Sequence, residues 1–536
     1  MKLNYTQLKD KIKGCFNGKN VGGTLGAPFE CLRRINDVNF YVQKNIDKNP
    51  PPNDDLDLQI VWLNAAMKFG SEVDKNILAE YWLTYIYPRW SEYGTAKANL
   101  SRGFSAGVSG RLENAYGESC GSFIRSEIWA CLAPAHPEVA SVYAFYDSSV
   151  DHYGEGVYGE VFCAAAESAA FAVSDIEKVI EIGLSYIPEN CLVTKAVKIA
   201  RDSYKRGLSW QQAREKLFKE VPGSFGLQCK PLSEMTEEEK NSKAGCDAPN
   251  NIGIAAIGLY YGEGDFGKTI CTAVNCGEDT DCSAGFAGAL LGIILGDEGL
   301  PKKWTDVLDG VINTCCIDLS EWGFFCPKTV SEFTDGILRV IPSFLKPDYL
   351  CEPLVTFCEE IYEVKGLDGD KLFCPPYEIF KRNLWRNRGE RKFDINELSR
   401  LPKWAEFEEF PVFKAVLTYE KEPYIKAGES FGFDLTLINN GVARSQLWAN
   451  VKVMTSGGLT VAGGGEFALP LQNTYRYEAK QSFSVTLNVN HSATEEVYVI
   501  VELNGCLLYT SPSPRHSFGT IRAKLIVADS RDVTNE

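Results

Sequence analysis

Residues 275–292, NCGEDTDCSAGFAGALLG, join an acidic turn to a long run of small side chains. Asp279 and Asp281 stand at the start of the run, and their spacing of two lets both point toward one centre. Small side chains allow helices to approach closely, so this helix is predicted to lie deep in a bundle. Buried carboxylates are costly unless they are paired or bind a metal ion. The stretch therefore predicts an all-α domain with an acidic centre.

Apolar residues recur at three- and four-residue spacing through residues 5–345, as in packed helices. Proline and glycine punctuate the segments, as at Pro50-Pro51-Pro52. We expect a compact helical bundle over residues 1–345. The predicted helices cover 5–19, 57–69, 75–86, 160–173, 175–186, 193–206, 209–219, 250–261, 266–275, 282–295 and 303–312.

From about residue 411 the pattern changes to alternation with period two, as in Phe431, Phe433 and Leu435. About seven short strands separated by turns predict an Ig-like β-sandwich over 411–536. Residues 346–410 mix proline, cysteine and charge, and we expect them to form a connector packed on the helical domain. The whole chain is thus predicted to be multidomain, an all-α bundle followed by an all-β sandwich.

The net charge of -16 disfavours broad binding to nucleic-acid backbones. The N-terminus lacks the apolar core of a signal peptide, and no apolar stretch is long enough to span a bilayer, so we expect a cytoplasmic protein. Eighteen cysteines without a CxxC pair are then expected to be buried free thiols.

A second acidic island, PPNDDLDLQIVWL at residues 51–63, clusters Asn53, Asp54, Asp55 and Asp57 at the start of an apolar helix. Simple helix capping is one interpretation, although one cap needs only one such residue. Hard divalent cations prefer several oxygen ligands. Two acidic helix starts in one helical domain favour a site for two metal ions, with Mg or Mn preferred over Zn.

A third island, GKNVGGTLGAPFE at residues 18–30, is predicted to be a glycine-rich turn that follows the first helix and ends in Glu30. The alternative is a close helix–helix crossing that leaves Glu30 in solvent.

Two further segments offer candidate substrate ligands. In VDHYGEG, at residues 150–156, His152 and Glu155 flank a glycine-rich turn that could line a site, although a lone histidine is often structural. In GSFIRSEIW, at residues 121–129, Arg125 could meet a phosphate, or it could form an ordinary ion pair with a nearby acid.

Taken together, these islands resemble the ADP-ribosylglycohydrolase family. GCFNGKNVGGTLGAPFE at 14–30 is similar to the family's opening GxxxGxxxGDxLGxPxE, and PNDDLDLQ at 52–59 to its TDD-type metal motif. NCGEDTDCSAGFAGALLG is similar to its NxGGDTDT motif, and VDH at 150–152 falls where the family carries a substrate-side histidine. The motifs follow in the family's order within residues 5–345.

The resemblance implies an all-α fold with a two-metal centre, usually Mg or Mn, that hydrolyses the bond between C1 of a ribose and its acceptor. It implies that Glu30 lies at the site entrance, where it assists catalysis or gates the second metal, and that His152 contacts the substrate. In the hydrolase hypothesis that follows, Asp279 or Glu30 takes the proton of the attacking water, and Arg125 and Glu155 are further candidate substrate ligands. The implied metal ligands are Asn53, Asp54, Asp55, Asp279 and Asp281, with Cys282 beside them.

The chain departs from the family pattern at a few positions, which are Gly23 for Asp, Asn53 and Leu56 around the acidic pair, Glu278 for Gly and Cys282 for a hydroxyl residue. A thiol is a poor partner for a hard cation, so the second metal is the less secure of the two.

Two other functions stay open. One is a non-catalytic member of the family that binds metal or nucleotide or is purely structural. The other is a hydrolase of unrelated glycosides whose sandwich binds carbohydrate through an aromatic row such as Trp448, Tyr475 and Tyr477.

Overall fold

The structure is a computed structural model that describes residues 2–3, 5–320, 323–345, 362–363, 402–410, 413–439, 447–471, 478–488, 493–504 and 518–527. The chain divides into two compact units, Met1–Lys97 with Glu113–Pro376 and Ala98–Leu112 with Tyr377–Glu536. The limits 1–345, 346–410 and 411–536 stay a prediction, and most of the predicted connector lies outside the described residues.

Helices build the N-terminal domain, which confirms the predicted all-α fold. The α-helices in the described ranges are α1 Tyr5–Gly26, α2 Asp54–Phe69, α3 Lys75–Tyr85, α4 Ser91–Ser101, α5 Glu127–Leu132, α6 Pro137–Asp151, α7 Glu155–Ala170, α8 Ile176–Leu184, α9 Leu192–Lys205, α10 Trp210–Glu220, α11 Glu237–Lys240, α12 Ala248–Gly262, α13 Phe266–Cys276, α14 Thr280–Leu295, α15 Lys302–Leu308 and α16 Val330–Phe344. Five of them, α4, α5, α6, α11 and α16, were not predicted. Among the described residues, none of these helices combines the length and apolar character needed to cross a membrane.

The close crossing of α1 and α14 organises the helical domain. The turn predicted for residues 18–30 is wrong, because α1 stays helical to Gly26 and only Ala27–Phe29 form a 3-10 turn. A Cβ added at Gly18 would lie 2.1 Å from the carbonyl oxygen of Gly288, and one at Gly22 equally close to that of Ala284. The alternative of a close helix–helix crossing is therefore what the structure shows.

This crossing also brings two of the predicted islands together. The hydroxyl of Thr280, in the first turn of α14, donates to the carbonyl oxygen of Gly26 at 2.8 Å. The end of α1 therefore lies against the start of α14, and the segment with Glu30 follows directly. Glycine is required at Gly26, where a Cβ would lie 2.4 Å from the backbone of Thr280 and Asp281.

Strands build the C-terminal domain as two five-stranded sheets, which confirms the predicted β-sandwich class. The described ranges contain ten strands here, not about seven. After the paired strands β1 Lys2–Leu3 and β2 Tyr362–Glu363 come β3 Ala405–Glu409, β4 Phe413–Tyr419, β5 Tyr424–Ile425, β6 Ser430–Asn439, β7 Leu447–Thr455, β8 Leu459–Val461, β9 Glu466–Leu471, β10 Glu478–Leu487, β11 Thr494–Asn504 and β12 Phe518–Val527. The strand orders of the two sheets are β3-β4-β6-β10-β8 and β5-β12-β11-β7-β9, antiparallel except for β5 beside β12.

The core of the second unit follows the predicted alternation, with Phe431, Phe433, Leu435 and Leu437 of β6 all buried. The segment Ala98–Leu112 adds three buried side chains to this core, those of Phe104, Val108 and Leu112. The sandwich is thus completed by residues that lie far from it in the sequence.

Candidate functional site

The start of α14 holds a buried acid, Asp279, and a half-buried acid, Asp281, and one carboxylate oxygen of each lacks a donor among the described residues. Asp279 is 5% exposed, and its N–H donates to Asn251 Oδ1 at 2.8 Å while its Oδ2 accepts from Cys120 Sγ at 2.7 Å. Neither Asp279 Oδ1 nor Asp281 Oδ1 meets a donor among the described residues. Burial raises the pKa of Asp279 to about 6, and burial with the charge of Asp279 raises the pKa of Asp281 well above its usual range.

The start of α2 carries the second set of acids. Asn53 caps the helix, because its side-chain oxygen accepts the N–H of Asp55 at 2.9 Å. Asp54 is half-buried, and its pKa is raised by burial and by the charges of Asp55, Asp279 and Asp57. Asp57 accepts backbone N–H groups of residues 315 and 316, both at 2.6 Å. Asp57 therefore holds a loop, which is a structural task.

A fully buried lysine, Lys19, occupies the space beside Asp55. Its ammonium lies 3.0 Å from Asp55 Oδ2 and 2.9 Å from Glu127 Oε1, and it donates to the carbonyl oxygen of Ile124 at 2.7 Å. The two carboxylates raise the pKa of Lys19 in spite of its burial. Sequence reasoning missed Lys19, although a lysine inside a glycine-rich helix was an available signal.

The two acidic helix starts lie together in the structure. Ligand atoms of Asp55, Asp281 and Cys282 lie within 4.8 Å of one another, and so do those of Cys120, Asp279 and Cys282. These groups can hold a metal ion. The unpartnered carboxylate oxygens suit a divalent cation, and the donor set mixes oxygen with sulfur.

Glu30 lies at the edge of this centre. Its carboxylate is 43% exposed and pairs with Lys243 Nζ at 3.1 Å. After burial, the charge of Glu30 contributes to the raised pKa values of Asp279 and Asp281. The next residue, Cys31, forms a disulfide with Cys246, so the expectation of free thiols is wrong for this pair. The other twelve cysteines of the described residues are free.

His152 is buried in the wall of the site. Its Nδ1 lies 2.8 Å from Asp151 Oδ1, and its Nε2 shares a hydrogen bond of 3.0 Å with Ser119 Oγ. Glu92 Oε1 is 4.0 Å from the same Nε2. Glu92, which sequence reasoning missed, packs so closely on Gly121 that a Cβ there would lie 2.1 Å from its carboxylate. The sequence feature that could have identified Glu92 is that it is the one acidic residue in the first turn of α4.

Arg125 has structural partners, which argues against the expected phosphate contact. Its guanidinium is fully buried and binds Asp147 at 2.9 Å and Asp151 at 2.6 Å. It also donates to the carbonyl oxygen of Gly121 and lies over the ring of Trp82. Its position is therefore inside the ion-pair network that holds Asp151, the partner of His152.

Glu155 likewise serves a neighbouring helix. Its two carboxylate oxygens accept the N–H groups of Leu192 and Val193, each at 2.9 Å, at the start of α9. A carboxylate favours a helix N-terminus because it satisfies unpaired N–H groups and opposes the helix dipole. Through these contacts Glu155 stabilises the N-terminus of α9, which is a task separate from the acidic centre.

Two departures from the family pattern have local reasons. Glu278 has a φ of 66°, the left-handed region that favours glycine, and its buried carboxylate pairs with Arg33 Nε at 2.7 Å. At Gly23 a Cβ would lie 2.2 Å from Asn53 Nδ2, so glycine at 23 and asparagine at 53 fit each other.

The helical fold with this acidic centre matches a known family. The family model for ADP-ribosylglycohydrolase covers residues 4–326. The chain belongs to this family. Its β-rich C-terminal region lies outside the match.

Solved structures add two weaker likenesses. One, described as an ADP-ribosylglycohydrolase-related protein complex, is 17% identical and covers 63% of this chain and 100% of that chain, with a TM-score of 0.39. Another, a complex of zinc 2-glycoprotein and prolactin inducible protein from human seminal plasma, is 10% identical and covers 23% and 94%, with a TM-score of 0.16. No curated protein matches the chain.

A cleft of about 630 Å³ is lined in part by residues that neighbour the acidic start of α2 in the sequence. Its lining includes Pro50–Pro52, which directly precede Asn53, and Asn313 and Thr314, which directly precede the loop held by Asp57. Lys44 and Lys328 contribute positive charge to the lining. Such a cleft can hold a small anionic molecule.

Proposed function

We propose that the chain is a metal-dependent hydrolase that cleaves an N- or O-glycosidic bond to ADP-ribose or a related ribosyl group. Family membership supports glycosidic hydrolysis. The single observation that carries the proposal is the meeting of two acidic helix starts, at which Asp279 Oδ1 and Asp281 Oδ1 lack any donor among the described residues.

The proposed metal ligands are Asp54, Asp55, Asp279 and Asp281, together with Asn53 and Cys282. A bound divalent cation, Mg or Mn by family resemblance, supplies charge that orients ribose hydroxyls and a water. Asp279, whose pKa is raised to about 6 by burial, is largely ionised at neutral pH and can accept a proton from that water. Glu30 is a second proton acceptor at the rim.

The remaining candidates take supporting roles in this proposal. His152, which contacts Ser119 and lies near Glu92, would face the substrate. Burial raises the pKa of Asp151, but Arg125 and the contact with His152 outweigh burial and lower it, so Asp151 stays ionised beside His152. The cleft with Lys44 and Lys328 would receive the pyrophosphate, since paired lysines attract phosphate. A cytoplasmic location stays a proposal.

Calorimetric titration of ADP-ribose into metal-free protein and into protein loaded with Mg, Mn or Zn tests the proposal, followed by release of ADP-ribose from an ADP-ribosylated protein. We expect binding and release only with metal, and loss of both in the Asp279→Asn/Asp281→Asn variant. Asp57→Asn is the matched control, because that acid serves a loop. Release without metal, or full release by the double variant, would overturn the proposal.

One observation favours a second candidate, a member that binds ADP-ribose without cleaving it. The ammonium of Lys19 already neutralises Asp55, which removes one charged ligand from a two-metal centre. Binding without release in the same experiment would support it. The carbohydrate-binding alternative rests on Trp448 alone, which is 49% exposed, because Tyr475 and Tyr477 lie outside the described residues.

A further inference from the structure

Two cysteine sulfur atoms lie close to Asp279 at the candidate centre. Cys120 Sγ lies 2.7 Å from Asp279 Oδ2, and Cys282 Sγ lies within 4.8 Å of the candidate ligand atoms of both residues. Cys120 and Cys282 are free and buried. The second oxygen of the 5%-exposed Asp279 has no donor among the described residues, so this cluster presents an unsatisfied acceptor together with two thiols.

We infer that this centre takes one softer divalent cation of the Zn²⁺ type, bound by Asp279 and the sulfurs of Cys120 and Cys282, and not a pair of Mg²⁺ or Mn²⁺ ions. We thereby specify the metal ion of the proposed hydrolase, and the identity of the substrate rests on that proposed function. Each thiol releases its proton to solvent as its sulfur binds the cation, so the cation displaces two protons.

The donor chemistry supports this choice of metal. Mg²⁺ and Mn²⁺ prefer carboxylate, carbonyl and water oxygens, whereas thiolates select softer ions such as Zn²⁺. Catalytic zinc sites use three protein ligands and leave a position for water or substrate. Asp279, Cys120 and Cys282 supply that number of ligands.

The surroundings of Asp55 support a single ion. The ammonium of Lys19, between Asp55 and Glu127, is a fixed positive charge 3.0 Å from the carboxylate that a second ion would need. Lys19 is held in this position, because it is fully buried and its ammonium also donates to the carbonyl oxygen of Ile124 at 2.7 Å. A second cation there would be repelled by the ammonium.

The first test is titration of the metal-free full chain with Co²⁺, a spectroscopic substitute for Zn²⁺, followed by displacement with Zn²⁺, Mg²⁺ or Mn²⁺. We expect one Co²⁺ per chain, a thiolate-to-cobalt charge-transfer band in the near ultraviolet, and displacement by Zn²⁺ but not by a hundredfold excess of Mg²⁺. Two bound ions without that band would overturn the inference.

Variants assign the ligands. Cys282→Thr and Cys120→Ser should each weaken the band by half or more, and the double variant should abolish it. Cys282→Thr should also raise Mg²⁺ affinity at least tenfold because a hydroxyl replaces the thiol. Cys163→Ala, at another buried free cysteine, should keep the full band. If Cys282→Thr does not fold, Cys282→Ser replaces it. A band of full strength in either single variant, a band that survives in the double variant, or one that requires Cys31 and Cys246 contradicts the ligand set.

The outcomes separate the inference from the proposed function. Release of ADP-ribose with Mg²⁺ and no cobalt–thiolate band would uphold the function and overturn the inference. A cobalt–thiolate band in a chain that releases no ADP-ribose with any ion would uphold the inference and overturn the function.

Discussion

The two acidic helix starts look alike in sequence and differ in what the protein does with their charge. At the start of α2, Asp55 is paired with Lys19 and Asp57 with two backbone N–H groups. At the start of α14, Asp279 and Asp281 each keep a buried oxygen without a donor among the described residues. Asp57 Oδ1 also lacks a donor, so the contrast lies in the cations. Lys19 neutralises Asp55, whereas no cation of the described residues pairs with Asp279 or Asp281, and these two acids are left for a ligand.

This difference shows that a cluster of acids is not one functional unit. Desolvated carboxylates need a partner, and the fold supplies internal partners to some and leaves others open. Substitutions on the two sides should therefore affect different measurements, stability on the α2 side and metal affinity on the α14 side.

The largest effect is expected from Lys19→Met. It leaves Asp55 and Glu127 buried without their cation, which should lower the free energy of unfolding by about 3–5 kcal/mol. Urea denaturation measures the loss. Lys13→Met is the control, because its pair with Asp297 is partly exposed and should cost at most about 1 kcal/mol. Equal losses of unfolding free energy in the two variants would mean that burial adds nothing to the stabilisation by the Lys19 ion pairs.

The next effect concerns Asp279→Asn/Asp281→Asn. Burial and mutual repulsion penalise the charged forms of these two acids, and asparagine removes that penalty. The metal-free variant should therefore be as stable as wild type or more stable, while metal affinity falls at least a hundredfold. Thermal melting with and without metal measures both properties. A destabilised metal-free variant would show that these acids have internal partners like those of α2.

Asp57 gives a smaller, pH-dependent effect. Burial raises its folded-state pKa to about 6, above its value of 3.8 in the unfolded chain. The carboxyl group therefore stays protonated to a higher pH in the folded protein than in the unfolded chain. As the pH rises from about 4 to 7, wild type should lose roughly 1–3 kcal/mol of unfolding free energy relative to Asp57→Asn, with little further change above about pH 7. Parallel curves of stability against pH for the two proteins, or a more than threefold fall in the metal affinity of Asp57→Asn, would contradict the structural role given to Asp57.

The smallest effect is expected from Glu155→Ala. Loss of its contacts with the start of α9 should lower the free energy of unfolding by about 1–2 kcal/mol, without change in ADP-ribose affinity. Denaturation and calorimetry measure the two quantities. Weaker ADP-ribose binding by a variant of normal stability would return Glu155 to the substrate side.

Sequence patterns were most reliable where local periodicity decides structure. The alternation of Phe431, Phe433 and Leu435 predicted β6, and the small-residue run after Asp281 predicted α14. The glycines of residues 18–26 misled, because glycine permits both a turn and a close helix crossing. The missed helix α4, SEYGTAKANLS, has too few large apolar residues for its periodicity to stand out.

The sequence by itself determined the two fold classes, the family and the acidic islands, because these depend on residue types and short spacings. Tertiary structure alone decided that Lys19 neutralises Asp55, that Cys120 joins Asp279, and that Phe104 packs in the core of the sandwich. These partners lie far apart along the chain, and burial and charge pairing depend on distances in space that no local pattern encodes.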